Sequence, residues 1–189
     1  MLFVIVTSRD RMIVSAALLL REKGLTGTSF GDVIDHSGAP RGSIYHHFPD
    51  GKAQLVEEAV QYAGRYVQES IESSDPIGAL QAFTRAWRKT LEASDFRAGC
   101  PVVAVAVEAH SEAPELGRAA ADAFASWQRA LQGLLEDAGL PSVRARRLAA
   151  TTVAAIEGAV VICRAQRDIT PLDDVSAELE TMLKSALAR

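Results

Sequence analysis

The stretch Thr28-Ser29-Phe30-Gly31-Asp32-Val33-Ile34-Asp35-His36-Ser37-Gly38-Ala39-Pro40-Arg41-Gly42-Ser43-Ile44-Tyr45-His46-His47-Phe48 reads as two short helices around a glycine turn. Thr28 or Ser29 caps the first by offering a hydroxyl to backbone N–H groups that have no partner inside the helix. Phe30, Val33 and Ile34 form its apolar side, and Gly38 suits the left-handed position at which a helix stops. Pro40 opens the second helix, because a first-turn residue needs no amide hydrogen. Ile44 and Phe48 stand four apart and pack inward, which leaves Arg41, Ser43, Tyr45 and His46 among the outward side chains. This is the layout of a helix-turn-helix. Arginine bonds guanine edges bidentately, serine bonds either kind of base, and tyrosine and histidine reach phosphate oxygens. A glycine at position 42 lets the backbone come close to a groove. His46 and His47 do not make a metal pair, since adjacent residues do not share a helix face; His47 reads as packing support.

Working outward, the pattern is helical nearly everywhere. Ser8 caps a helix running to Lys23, with Gly24 as its stop. A long helix covers about Lys52 to Ile71, and Asp75-Pro76 reads as cap plus first-turn proline for a helix to about Leu91. Gly99-Cys100-Pro101 breaks the chain, followed by a short apolar helix over Pro101–Ala109. Helices from Pro114 to Gly139, from a Ser142 cap to about Arg167, and from about Leu172 to Leu187 complete the chain. The expectation is an all-α fold of about nine helices with short connections. The expectation is a three-helix head over residues 1–54 that carries the helix-turn-helix, and a helical body over residues 55–189.

The chain has 189 residues, 48% of them apolar, and a net charge of -4, enough apolar content to bury a core and too little charge for a disordered chain. Residues 1–52 sum to +1 and the remainder to -5, so a less acidic head sits on an acidic body. That asymmetry permits a phosphate-binding face without proving one. Leu2–Val6 is too short for a signal-peptide core, and the Ala-rich helix interrupted by Glu157 reads as buried in protein. Cys100 and Cys163 are the two cysteines, with no CxxC, which argues for a reducing, cytoplasmic setting and against a disulfide framework or zinc site. No HExxH, GxSxG or paired Glu-x-x-His supports an enzyme, and no cofactor or metal is expected.

The segment Thr28–Phe48, with its Gly42-Ser43-Ile44-Tyr45-His46-His47-Phe48 run followed by Lys52 and Leu55, resembles the N-terminal domain of TetR-family transcriptional regulators. Phe96-Arg97-Ala98-Gly99-Cys100-Pro101 and Ile156-Glu157-Gly158-Ala159 resemble the LmrA/YxaF-type branch. The resemblance implies a homodimeric repressor, with residues 1–54 as the DNA-binding domain and residues 55–189 as the effector-binding and dimerisation domain, released from a palindromic double-stranded DNA operator by a small effector, which the apolar body suggests is hydrophobic. It implies phosphate contacts from Thr28 or Ser29, Tyr45, His46 and Lys52, and base contacts from Arg41, Gly42 and Ser43. Gly31, Pro40 and Gly51 depart from the commonest family pattern; Gly31 removes one groove-reaching side chain.

In the body, Phe83, Trp87, Cys100, Val103, Phe124 and Trp127 are the candidate effector-pocket residues, because such cavities are apolar and aromatic; ordinary core packing is the competing reading. Cys100 reads as an inert buried thiol, and Glu108, His110 and Glu112 as a solvated helix end. Leu148, Thr152, Ala155 and Ala159 form a stripe of mostly small residues, and Val175, Leu179, Met182 and Leu183 recur at helical spacing on the last helix. Two copies of these faces would make an intersubunit four-helix bundle. An adaptor or activator is the alternative function, kept open by Gly31 and by Asp32 and Asp35 beside the DNA face.

Overall fold

The computed structural model describes residues 7–109 and 113–188. Leu2–Val6, His110 and Glu112 lie outside the described residues. Among the described residues there are nine α-helices, joined by short turns, and no strand. They are α1 (Ser8–Lys23), α2 (Phe30–Ser37), α3 (Ile44–His47), α4 (Lys52–Glu72), α5 (Pro76–Ala93), α6 (Pro101–Glu108), α7 (Pro114–Asp137), α8 (Ser142–Gln166) and α9 (Thr170–Leu187). A 3₁₀ turn, Arg41–Ser43, leads directly into α3.

Three helix starts differ from the sequence expectation. Thr7, not Ser8, caps α1: its hydroxyl accepts from the Asp10 amide while the Asp10 carboxylate accepts from the Thr7 amide, a reciprocal capping box. Pro40 occupies the cap position rather than the first turn, with ψ 132°, and the turn after it is 3₁₀. Pro141 precedes α8 without a side-chain cap, so Ser142 is its first residue. Asp75 does cap α5, its carboxylate accepting from the amides of Ile77 and Gly78 at 3.0 Å, with Pro76 in the first turn.

The chain divides into two compact units, one holding residues up to 63 with 101–121, the other 64–100 with 122–189. In the first unit, Met12, Ala16 and Leu20 of α1 are fully buried together with Val33, Ile44, Phe48, Leu55 and Val102. Arg9 braces this core: its guanidinium lies 5.3 Å from the Phe48 ring centroid and pairs with Glu58 at 2.5 Å.

In the second unit, α9 packs on α8 and α5. Trp127 is 1% exposed and donates its indole N–H to the Gly64 carbonyl at 2.8 Å, so the buried ring leaves no polar atom unmet. The break before α6 contains two consecutive non-glycine residues in the left-handed region, Asp95 (φ 53°) and Phe96 (φ 58°). Arginines near the end of α8 hold that turn, Arg167 on the Asp95 carboxylate at 2.7 Å and Arg164 on the Arg97 carbonyl at 2.8 Å.

By length and apolarity α8 is the one helix among the described residues able to cross a membrane. Its apolar residues fall on two sides. Leu148, Ala149, Ile156, Val160 and Cys163 enter the core, whereas Val143, Val161 and Ile162 are exposed.

Candidate functional site

In the first unit the helix-turn-helix is built by local chemistry. Ser29 caps α2, its hydroxyl accepting from the Asp32 amide at 3.1 Å, while the Asp32 carboxylate accepts from the Ser29 amide at 3.0 Å. Lys23 pairs with the same carboxylate, and hydrogen bonds from Lys23 and Ser29 hold it well below the usual carboxylate range. Gly38 closes α2 at φ 65°, ψ 23°, the left-handed conformation that a glycine adopts without penalty. The chain then turns into the second helix, where Ile44 and Phe48 are fully buried.

That burial orients the rest. Arg41, Gly42, Tyr45 and His46 are exposed, Ser43 is half-buried, and a Cβ at Gly42 would meet no protein atom. Tyr45, 69% exposed, rests edge-on against Phe30 with ring centroids 5.5 Å apart, which fixes the ring and leaves the phenol free to reach out. Ser43 spends its hydroxyl proton on the Pro40 carbonyl at 2.7 Å, which leaves its oxygen as an acceptor. Arg41 lies 3.6 Å from Asp35, both side chains largely exposed. His47 is half-buried, flanked by His46 and Phe48.

One of the residues singled out as a phosphate contact, Thr28, needs correction, and another, Lys52, is already partly engaged. Thr28 is 2% exposed and donates its hydroxyl to the Gly24 carbonyl at 2.7 Å, so its side chain supports the turn and Ser29 alone stands at the helix start. Lys52 donates to the Leu25 carbonyl at 2.7 Å. An ammonium has three donors, so this bond anchors Lys52 beside the turn and leaves it further capacity.

Glu108 was missed as a functional residue and is not a solvated helix end. Its carboxylate accepts from the backbone amides of Leu25 at 3.2 Å and Thr26 at 2.9 Å, eighty-odd residues away in sequence. Burial alone would raise its pKa, but those hydrogen bonds and the Lys52 charge outweigh it and hold the group below the usual range. Gly24 has φ 74°, a left-handed conformation that favours glycine, and a Cβ there would displace the Glu108 carboxylate end, 2.2 Å away, from its present place. The α1–α2 turn is thereby clamped at both polarities, its amides on a carboxylate and its carbonyl on an ammonium.

The second unit contains a cavity with about 420 Å³ of unfilled space, partly open to solvent, of which about 30 Å³ admits the centre of a water molecule. Val67, Ile71, Leu80, Phe83, Trp127, Leu131 and Ile156 make most of its wall apolar. Of the candidate pocket residues, the structure brings Phe83 and Trp127 to this cavity. Trp87 and Phe124 stand behind them, each ring edge-on to its neighbour at 6.0 and 5.3 Å. Val103 is on α6 and does not line it. Cys100 is buried and also off the lining.

Two polar groups on the wall are new. Thr152 and Glu157 both line the cavity; the Thr152 hydroxyl has no hydrogen-bond partner, and the Glu157 oxygens have none stronger than a thiol. Burial pushes the Glu157 carboxyl up to about 7, and a weak hydrogen bond from the Cys100 thiol opposes that shift without cancelling it.

The expected dimer stripe also needs correction. Leu148, Thr152, Ala159, Leu179 and Leu183 are buried inside the chain, and Ala155, Val175 and Met182 are half-buried. The exposed side of α8 is instead Val143, Arg147, Thr151, Ala154, Gly158, Val161 and Ile162.

Comparison with known proteins agrees with this geometry. Residues 13–59 match the family model of bacterial regulatory proteins of the tetR family. Residues 76–178 match the transcriptional regulator LmrA/YxaF-like C-terminal domain. The chain belongs to the TetR family. An HTH-type transcriptional regulator of Mycobacterium tuberculosis is 46% identical over 187 residues, covering 95% of each chain. The HTH-type transcriptional regulator LmrA of Bacillus subtilis is 30% identical over 182 residues, covering 94% of this chain and 97% of its own. The regulatory protein TetR from Rhodobacter sphaeroides shares the fold at TM-score 0.80, with 22% identity over 93% of this chain and 98% of that one. This TetR-family chain is therefore a DNA-binding transcriptional regulator, and its relatives are regulators rather than enzymes.

Proposed function

We propose that this regulator is a homodimeric, cytoplasmic repressor that binds a palindromic double-stranded DNA operator and leaves it when a small apolar effector enters the second unit. The observation that carries the reading is the second helix of the motif. Ile44 and Phe48 are fully buried, so Arg41, Tyr45 and His46 face outward from a rigid base. Arg41, Gly42 and Ser43 read base edges, while Ser29, Tyr45, His46 and Lys52 hold phosphates. The head is residues 1–54 and the effector and dimerisation domain residues 55–189.

The dimer face is the exposed side of α8, where Ala154 and Gly158 allow close approach and Val161 and Ile162, 49% and 44% exposed, supply apolar area. Paired recognition helices then meet successive major grooves about 34 Å apart. Release needs a coupling of only about 1–3 kcal/mol between effector and operator.

The test is selection of bound fragments from genomic DNA, followed by salt titration. A palindrome with half-sites one helical turn apart, bound with log affinity falling linearly in log salt, is expected. Failure of a folded dimer to enrich any palindrome overturns the reading.

A further inference from the structure

Cavities in protein interiors that stay apolar all round need no polar partner, whereas a buried carboxyl without one is costly to keep. The cavity of the second unit is of the second kind, a mostly apolar wall that carries a buried carboxyl. Among the described residues its lining carries one ionisable side chain, Glu157, which is 6% exposed and has no polar neighbour stronger than the weakly donating Cys100 thiol. Thr152 sits on the same helix five residues earlier, also on the wall, and its hydroxyl has no partner. Among the described residues, no arginine, lysine or histidine lines the space. Phe83 and Trp127 present aromatic rings to it.

A carboxylate in such a place is stabilised by an incoming cation that brings its own N–H donors, and aromatic walls favour the same charge. An anionic ligand meets repulsion. A neutral alcohol supplies one donor and no charge. We infer that Glu157 is the specificity-determining residue of the effector site and that the site takes a small lipophilic amine, its ammonium bonded to Glu157 and its apolar body against Phe83 and Trp127. The Thr152 hydroxyl accepts a second N–H. The space open to water centres, about 30 Å³, holds a water but not an arylalkyl chain, so entry pushes Phe83 and Val67, both half-buried, outward. The assignment rests on the effector-responsive reading above, and it names the chemistry of that effector.

The test uses a matched series on the full chain: 4-phenylbutylamine, 4-phenylbutan-1-ol and 4-phenylbutanoate, measured by isothermal titration calorimetry at neutral pH. The amine should bind at least about tenfold more tightly than either other compound. Glu157→Gln should lower amine affinity about tenfold or more and change alcohol affinity by less than threefold. Glu157→Asp keeps the charge and should keep the preference, which covers the case in which the glutamine variant fails to fold. Equal affinities across the series, no binding of any member, or an amine preference that survives Glu157→Gln overturns the site. Operator binding without any probe is measured in parallel. Its loss with the amine preference intact removes the regulator reading and leaves the site, and the converse removes the site alone.

Discussion

Replacing Glu157 by glutamine should change stability in a way that depends on pH with a fixed sign. The carboxyl titrates at about 7 in the folded chain, against 4.5 for an ordinary glutamic acid, because burial disfavours its charge. The folded state therefore keeps its proton when the unfolded state has already lost it. Stability falls as pH rises from ~4.5 toward ~7 and levels off above, with a full cost of ~3 kcal/mol. Between pH 5 and pH 8 the wild-type chain loses ~2.5 kcal/mol of this kind. The variant loses none of it. A buried glutamine amide carries its own cost, but that cost does not titrate and cancels when the two pH values are compared. Urea denaturation of both proteins at equal chain concentration gives the number directly. The stability gap should move in favour of the variant by ~2.5 kcal/mol between pH 5 and pH 8, equivalent to a relative shift in Tm of roughly 5–10 °C for a chain of this size. Parallel pH profiles for the two proteins would refute the buried, weakly partnered carboxyl and the reasoning built on it.

Other outcomes follow from the head. Arg41→Ala should cost ~1–3 kcal/mol of operator binding and relax specificity at one base position, read by competition with single-base operator variants. Asp35→Asn removes the carboxylate 3.6 Å from Arg41 and should tighten operator binding by about two- to fivefold, an effect that fades at high salt. Glu108→Gln weakens the acceptor of the Leu25 and Thr26 amides and should destabilise the α1–α2 turn by ~1–2 kcal/mol, seen as faster hydrogen exchange at those two amides. Because the Glu108 pKa is lowered in the folded chain, that deficit is fully present above ~4.5 and shrinks as pH falls below it.

Helices and their stops were largely legible because they follow from local chemistry. Gly38 and Asp75-Pro76 act through neighbours a few residues away. Adjacent hydroxyls were harder: Thr28 and Ser29 are equivalent as caps on paper, and only the packing shows that Thr28 turns inward to Gly24. The faces of α8 were not legible, because alanine and valine occur all round it and periodicity cannot choose between a core side and a partner side. The stripe chosen from spacing proved to be the core side. Glu108 and Glu157 were invisible for a related reason. One owes its role to amides eighty-odd residues away, the other to what does not surround it, and neither leaves a mark in local sequence.

The two tryptophans of the chain, Trp87 and Trp127, both belong to the second unit, and Trp127 stands on the cavity wall with its indole N–H tied to Gly64. The first unit has tyrosines, Tyr45 and Tyr62, but no tryptophan. Intrinsic emission excited at the red edge is thus a built-in optical label for one half of the molecule. A ligand displacing Phe83 alters the surroundings of Trp127, while DNA docking on the other unit leaves no direct trace. Any change in tryptophan emission produced by operator DNA alone is therefore a direct reading of communication between the two units, without a dye or a mutation.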